Sequence, residues 1–187
     1  WGKPAREEYN KLVYETTSAI PVPKEIAMQN IIKGADLLMF IPIYEIKIDE
    51  TTKQPKKAVR LVLNGSQQKN YSSTFATTPS REELLVLMHV AANEGMDIVH
   101  IDEKRAFLTA EKNKLNELPT YGRFQGIEEW YKINNAIYGM KDAMRDYLDK
   151  RDRCMRQIGF ERLTMCSSVY KKRVAGEMIL EKIIEKS

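Results

Sequence analysis

Between Leu37 and Leu63 the apolar residues follow a two-residue period, give way to a polar stretch, and resume. Met39, Ile41 and Ile43 lead into Tyr44, Ile46 and Ile48, which alternate with Glu45 and Lys47. Asp49 to Lys57 is polar and holds Pro55, and Ala58 to Leu63 then runs apolar up to Asn64-Gly65. Successive side chains of a strand point to opposite faces, so this pattern predicts an antiparallel hairpin over residues 37–63. A hairpin of this kind has to bury one face, and the helical segments elsewhere in the chain are the material for doing so.

Those helical segments are marked by spacing and by caps. Ala5, Tyr9, Leu12, Val13 and Thr16 have helix spacing over residues 5–17, with Pro4 tolerated in a first turn and Pro21 and Pro23 ending the element. Residues 81–94 give the clearest signal. Ser80 can cap, Glu83 stands at the reciprocal capping-box position, Leu84, Leu85, Met88, Ala91 and Ala92 line one face, and Gly95 follows. Met96 to Asp102 reads as a short strand ending on a carboxylate, and Lys141 to Gln157 as a second long helix with Met144, Tyr147, Leu148 and Met155 on one face. Val169-Tyr170 and Met178 to Leu180 are strand-like. Strands and helices are interspersed without regular strand–helix–strand units, which predicts an α+β fold: an antiparallel sheet with packed helices.

Composition sets the outer limits. A chain of 187 residues with 43% hydrophobic and 30% charged residues can bury a core, which excludes a wholly disordered chain, a collagen-like repeat and a disulfide scaffold. It has room for one domain or two small ones. Cys154 and Cys166 are twelve positions apart, with only His89 and His100 to help, which argues against a zinc site and for two free thiols in a reducing, intracellular compartment. The longest apolar run, Leu37 to Tyr44, is far short of the roughly 20 residues that span a bilayer, so no membrane partner is expected. The chain opens on Trp1 rather than Met, from which an upstream segment is expected.

Two features can carry chemistry. Asp102, at the end of a hydrophobic strand, is a reasonable Mg²⁺ ligand because that ion takes hard oxygen donors; an Asp capping the turn after a strand gives the same local string. From Lys141 to Arg173 ten basic residues stand against five acidic ones, so the net charge of +4 is concentrated there. Arg145, Arg153 and Arg156 have helix spacing, and Tyr138, Tyr147 and Tyr170 are available for stacking, which suits a tracked phosphate backbone. A solvated helix face with ion pairs four residues apart fits the same residues.

At this point the residues resemble a family. His100-Ile101-Asp102-Glu103-Lys104-Arg105-Ala106-Phe107-Leu108 resembles the motif Q-M-D-V-K-T-A-F-L of copia-type retrotransposon reverse transcriptases. Asn135-Ala136-Ile137-Tyr138-Gly139-Met140-Lys141-Asp142-Ala143-Met144-Arg145 resembles that family's K-A-L-Y-G-L-K-Q-A-P-R. In the same order, Arg60 to Gly65 with Gln68 resembles R-L-V-A-R-G and its following Gln, and Tyr71 with Thr74-Phe75-Ala76 resembles Y…T-F-A-P. Gly159-Phe160 and Ser168-Val169-Tyr170 resemble the G-F and S-L-Y stretches, and Trp1, Glu8 and Leu12 match the opening helix.

The resemblance implies the fingers and part of the palm of a right-hand polymerase, with a fingers-like region over residues 1–95 and a partial palm-like region over 96–187. It makes Asp102 the first of the palm carboxylates that hold a pair of Mg²⁺ ions, and it makes Arg60, Lys141, Arg145, Arg153 and Arg156 the candidate nucleic-acid contacts. Several departures stand against that chemistry. The Y-V-D-D carboxylates expected about a dozen residues after Tyr170 are replaced by Met178 to Ser187, and no Asp follows Asp152. Ala58 stands where the family's fingers carry a Lys, with Lys57 one residue off and so on the other face. Asp142 and Met144 replace a Gln and a Pro, and a carboxylate at 142 would repel an incoming nucleotide. Together these imply a reverse-transcriptase-derived domain that is catalytically inactive, needs no cofactor, and binds RNA, an RNA–DNA hybrid or a protein partner within a larger assembly. The alternative is the N-terminal part of an active RNA-directed DNA polymerase using Mg²⁺.

Overall fold

The structure is a computed structural model that describes residues 2–49, 51–71, 74, 80–97, 103, 105–112, 118–163, 169–174 and 177–182, with positions 177, 178, 181 and 182 described by backbone alone. In chain order the elements are α1 (Gly2–Asn10), β1 (Ala19–Val22), α2 (Lys24–Ile32), β2 (Asp36–Ile48), β3 (Pro55–Leu63), α3 (Arg81–Asn93), β4 (Thr120–Phe124), β5 (Trp130–Ile133), α4 (Ala143–Gln157), β6 (Glu161–Arg162), β7 (Val169–Val174) and β8 (Glu177–Lys182). α1 runs on into a π-helical turn, Lys11–Glu15, that buries Leu12 and Val13. The helix expected over 5–17 is therefore two pieces, the second wound more loosely.

The chain divides into two compact units, each built from two separate stretches: Trp1–Thr74 with Arg105–Tyr147, and Phe75–Lys104 with Leu148–Ser187. These units differ from the two regions that motif order marks off at residue 95, because the segment after Arg105 returns to the sheet of the first stretch.

The first unit is organised by a five-stranded sheet of order β1-β5-β4-β2-β3. The expected hairpin is present: β2 and β3 pair antiparallel from Phe40↔Leu63 out to Ile48↔Pro55 without a break. The sheet is not wholly antiparallel, however, since β2 runs parallel to β4, with Asp36↔Thr120 through Phe40↔Phe124 in register. A parallel neighbour needs a crossover of a dozen residues or more, and the long excursion between the two strands supplies it. One packing centre is aromatic: Phe40 stacks on Phe124 with ring centroids 4.5 Å apart, and Tyr131 stands edge-on to both. Another lies under α2, where Ala27 and Ala35 pack with Tyr121 and Trp130.

In the second unit α3 opens on the expected capping box: Ser80 Oγ accepts from the Glu83 N–H at 3.1 Å and the Glu83 carboxylate accepts from the Ser80 N–H at 3.0 Å. β6, β7 and β8 form a small antiparallel sheet. Met155 of α4 and Tyr170 of β7 are buried together, with Leu148 and Phe160 against them. The strand expected over 96–102 falls largely on positions outside the described residues.

Candidate nucleic-acid interface

In the first unit three sequence stretches far apart in the chain meet at the end of β3. The Leu63 N–H donates to the Tyr138 carbonyl at 2.8 Å, which ties the strand to the loop before α4. Two glycines allow that approach. A Cβ on Gly139 would lie 2.1 Å from the Leu63 carbonyl oxygen, and one on Gly65 would lie 2.1 Å from the Gly139 oxygen. Gly139 also has φ +89°, in the left-handed region that glycine tolerates. Asn64 caps the short 3₁₀ turn that follows, its side chain accepting from the Ser66 N–H at 3.2 Å.

Gln68 completes the junction. It is 1% exposed, its Oε1 accepts the Lys141 backbone N–H at 2.8 Å, and its Nε2 donates to Asp142 Oδ1 at 2.9 Å. The Lys141 ammonium donates to the Gln68 carbonyl at 2.8 Å and lies 4.6 Å from the centroid of the Tyr71 ring. Arg60 places its guanidinium 4.8 Å from the centroid of the Tyr138 ring, and Phe107 stands edge-on to Tyr138 at 4.6 Å and to Tyr147 at 5.7 Å. Both cations thus lie against aromatic faces. Lys47 foremost, and to a smaller extent the Arg60 guanidinium, hold the nearby Glu45 carboxyl below its ordinary pKa.

Behind this surface lies a buried polar cluster that sequence reasoning missed. Asp36, Asp142 and Asp146 are each 3% exposed or less. The Asp36 carboxylate accepts from the Lys69 and Asn70 backbone N–H groups. Lys112 donates to the Thr120 hydroxyl. Burial holds the Lys112 pKa below the ordinary lysine value, while Asp142, Asp36 and Asp146 push it back up. Asp142 therefore faces the interior, and the expected repulsion of an incoming nucleotide by this carboxylate is corrected: its charge is spent on Gln68 and the half-buried Lys112. A lone Lys in a polar run carries no sequence signal for such a role.

The remaining candidates lie on α4. Arg145, in its first turn, is half-buried and belongs to the first unit. Arg153 and Arg156 are exposed and belong to the second. Arg156 pairs with Asp152 at 2.7 Å, so the pattern of ion pairs four residues apart is realised there. Asp152 also accepts from the Tyr170 hydroxyl at 3.1 Å. Burial first, and then this carboxylate, push the Tyr170 pKa up to about 12. Lys150 and Arg151 both reach Glu103, at 3.0 and 3.5 Å. Among the ordered-motif residues the structure thus brings Arg60 and Lys141 together in one unit. Asp102 lies outside the described residues, and among those described no group of three His, Cys, Asp or Glu side chains is placed to hold a metal ion.

The stretches that meet at this junction are the ones that carry the family resemblance, and comparison with known proteins agrees. Residues 36–184 match the family described as reverse transcriptase (RNA-dependent DNA polymerase). The chain belongs to that family, and within it to the copia type. It is 23% identical over 176 residues to the retrovirus-related Pol polyprotein from transposon TNT 1-94 of Nicotiana tabacum, an alignment that covers 91% of this chain and 13% of the tobacco protein. The chain thus spans about an eighth of that relative's length. No solved structure matches it significantly. Among the described residues no helix is long and apolar enough to cross a membrane.

Proposed function

We propose that this chain is a fingers-and-partial-palm module of a right-hand polymerase that binds RNA without completing polymerisation. Residues 1–95 are fingers-like and 96–187 partial palm-like, a division by role rather than by compactness. The observation that supports this reading best is the junction of Arg60, Gln68, Tyr138 and Lys141. It sets two cations on aromatic rings beside a rigid sheet, an arrangement suited to holding a phosphate backbone with bases free to stack. Arg145 in the same unit, and Arg153 and Arg156 in the other, are further candidate RNA contacts, and association with protein partners in a larger assembly is compatible with this reading. Inactivity follows from the donor set. Two-metal chemistry needs several carboxylates around the ions, and Met178 to Ser187 departs from the Y-V-D-D pattern at the place where the resemblance expects them.

The family match across residues 36–184 favours a second reading, that the chain is part of an active RNA-directed DNA polymerase. In that case Asp102 would hold Mg²⁺. One experiment bears on both: the purified chain is offered a primed RNA template with Mg²⁺ or Mn²⁺. The expected result is RNA retained at low salt and no primer extension. Extension that disappears in Asp102→Ala would establish the second reading, and failure to retain RNA would overturn the first.

A further inference from the structure

The first unit has a second concavity, on the face of the hairpin opposite Arg60. Pro42 and Leu61 are cross-strand partners, as are Ile43 and Arg60, and side chains alternate along each strand; Pro42, Tyr44 and Leu61 therefore point away from the Arg60 side. There they line an open groove of about 480 Å³ between α1 and the sheet. Its walls are the rings of Tyr9, Tyr44, Phe124 and Tyr131, and its charged groups are Arg6 and Glu129.

The hydrogen bonds fix what the groove can offer. The Tyr131 hydroxyl donates to the Glu129 carboxylate. A phenol has one proton to give, so the 3.0 Å bond between the Tyr9 and Tyr131 hydroxyls runs from Tyr9 to Tyr131. What remains open at Glu129 is acceptor capacity, the carboxylate's other lone pairs. Burial, as the main cause, holds both phenols above their ordinary pKa, so they stay neutral, and the acidic side chain of the groove is Glu129. Arg6 balances it. A cationic ligand would meet Arg6 and an anionic one Glu129; a neutral planar ring with paired donors beside paired acceptors satisfies both.

We propose that this groove binds a guanine base, stacked on Tyr44 and Tyr9 above the buried Tyr131. Guanine is the nucleobase whose ring edge sets two adjacent N–H donors beside acceptor atoms; the donors match a carboxylate, and O6 with N7 is the pattern a guanidinium reads. Stacking on aromatic side chains is common to all bases, so selectivity rests on Glu129 and Arg6. The source is either a free guanine nucleotide or an unstacked guanine in RNA. The site lies apart from the Arg60 junction and does not depend on whether that junction binds RNA.

The test is equilibrium binding of GMP, AMP, CMP and UMP to the full chain, with short oligoribonucleotides that contain or lack guanine. GMP is expected to bind at least about tenfold tighter than the others, the discrimination of one good paired contact. Glu129→Gln, whose amide oxygen can still accept from Tyr131, is expected to abolish that preference. Tyr44→Ala, at a position 54% exposed, is expected to weaken all four. Binding of GMP alone assigns a free nucleotide, and tighter binding of the guanine-containing oligonucleotide assigns RNA. Equal affinity for the four nucleotides, no binding, or an arginine-containing peptide that outcompetes GMP would overturn the proposal.

Discussion

Gly139 and Gly65 hold the junction together by what they lack. Each would place a Cβ 2.1 Å from a backbone oxygen, and Gly139 is also in the left-handed region. Neither clash can be relieved by turning a side chain, so Gly139→Ala is expected to cost about 2–4 kcal/mol, the sum of a strained φ and an overpacked backbone. Urea denaturation measures it, and a loss within ordinary surface variation of about 0.5 kcal/mol would show that the approach is looser than described. Tyr170 makes a different prediction. Its pKa is pushed from the ordinary 10.0 up to about 12 by burial and by Asp152. A phenol that keeps its proton longer when folded contributes stability that is complete below pH 10.0 and is lost as pH climbs toward about 12. Tyr170→Phe should therefore lose about 1 kcal/mol at neutral pH for the hydrogen bond. It should also show a shallower decline than the parent chain over that alkaline range.

The elements show which local signals carry energy. The capping box of α3 joins Ser80 and Glu83 in both directions, and Ser80→Ala is expected to reduce the stability of the second unit by about 1 kcal/mol. Amide hydrogen exchange along α3 should rise with it, and unchanged exchange in the first turn would mean that packing, not the cap, holds the helix. The β2–β3 hairpin bears on the fingers in a different way. Its register is continuous, with Lys57 opposite Ile46 and Arg60 opposite Ile43. Lys57 and Arg60 are three residues apart on one unbroken strand and so lie on opposite faces, as expected from the sequence. The cation that the family places two residues before the Arg has no counterpart at Ala58.

For the whole molecule the net charge of +4 matters less than where it sits. If α4 tracks a phosphate backbone, RNA affinity should fall with salt by a slope of about −0.7 per phosphate neutralised. Replacing Arg145, Arg153 and Arg156 together by Gln should reduce that slope by about two units. Arg156 must leave Asp152 to contribute, so its single replacement should change the slope least. A filter-binding titration at several salt concentrations reads all of this, and an unchanged slope in the triple variant would retire α4 as an RNA contact.

The sequence alone determined the hairpin over 37–63, the capped helix after Ser80, the helix through Met144 and Met155, and the membership of a family. Each of these is written in short-range periods, caps or contiguous motifs, and needs no knowledge of where distant chain returns. Tertiary structure decided the rest. The parallel pairing of β2 with β4, the interleaving of two units, and the meeting of Arg60 and Gln68 with Tyr138 and Lys141 join residues about 70 or more positions apart. Nothing in either segment names its partner. The inward turn of Asp142 is the clearest case: as a letter in a motif it reads as a charge facing substrate, and only the buried Gln68 and half-buried Lys112 beside it show where that carboxylate is satisfied. A side chain's residue type sets what it can bond to, but its surroundings set which bond it makes, because a buried charge must find its partners inside the fold.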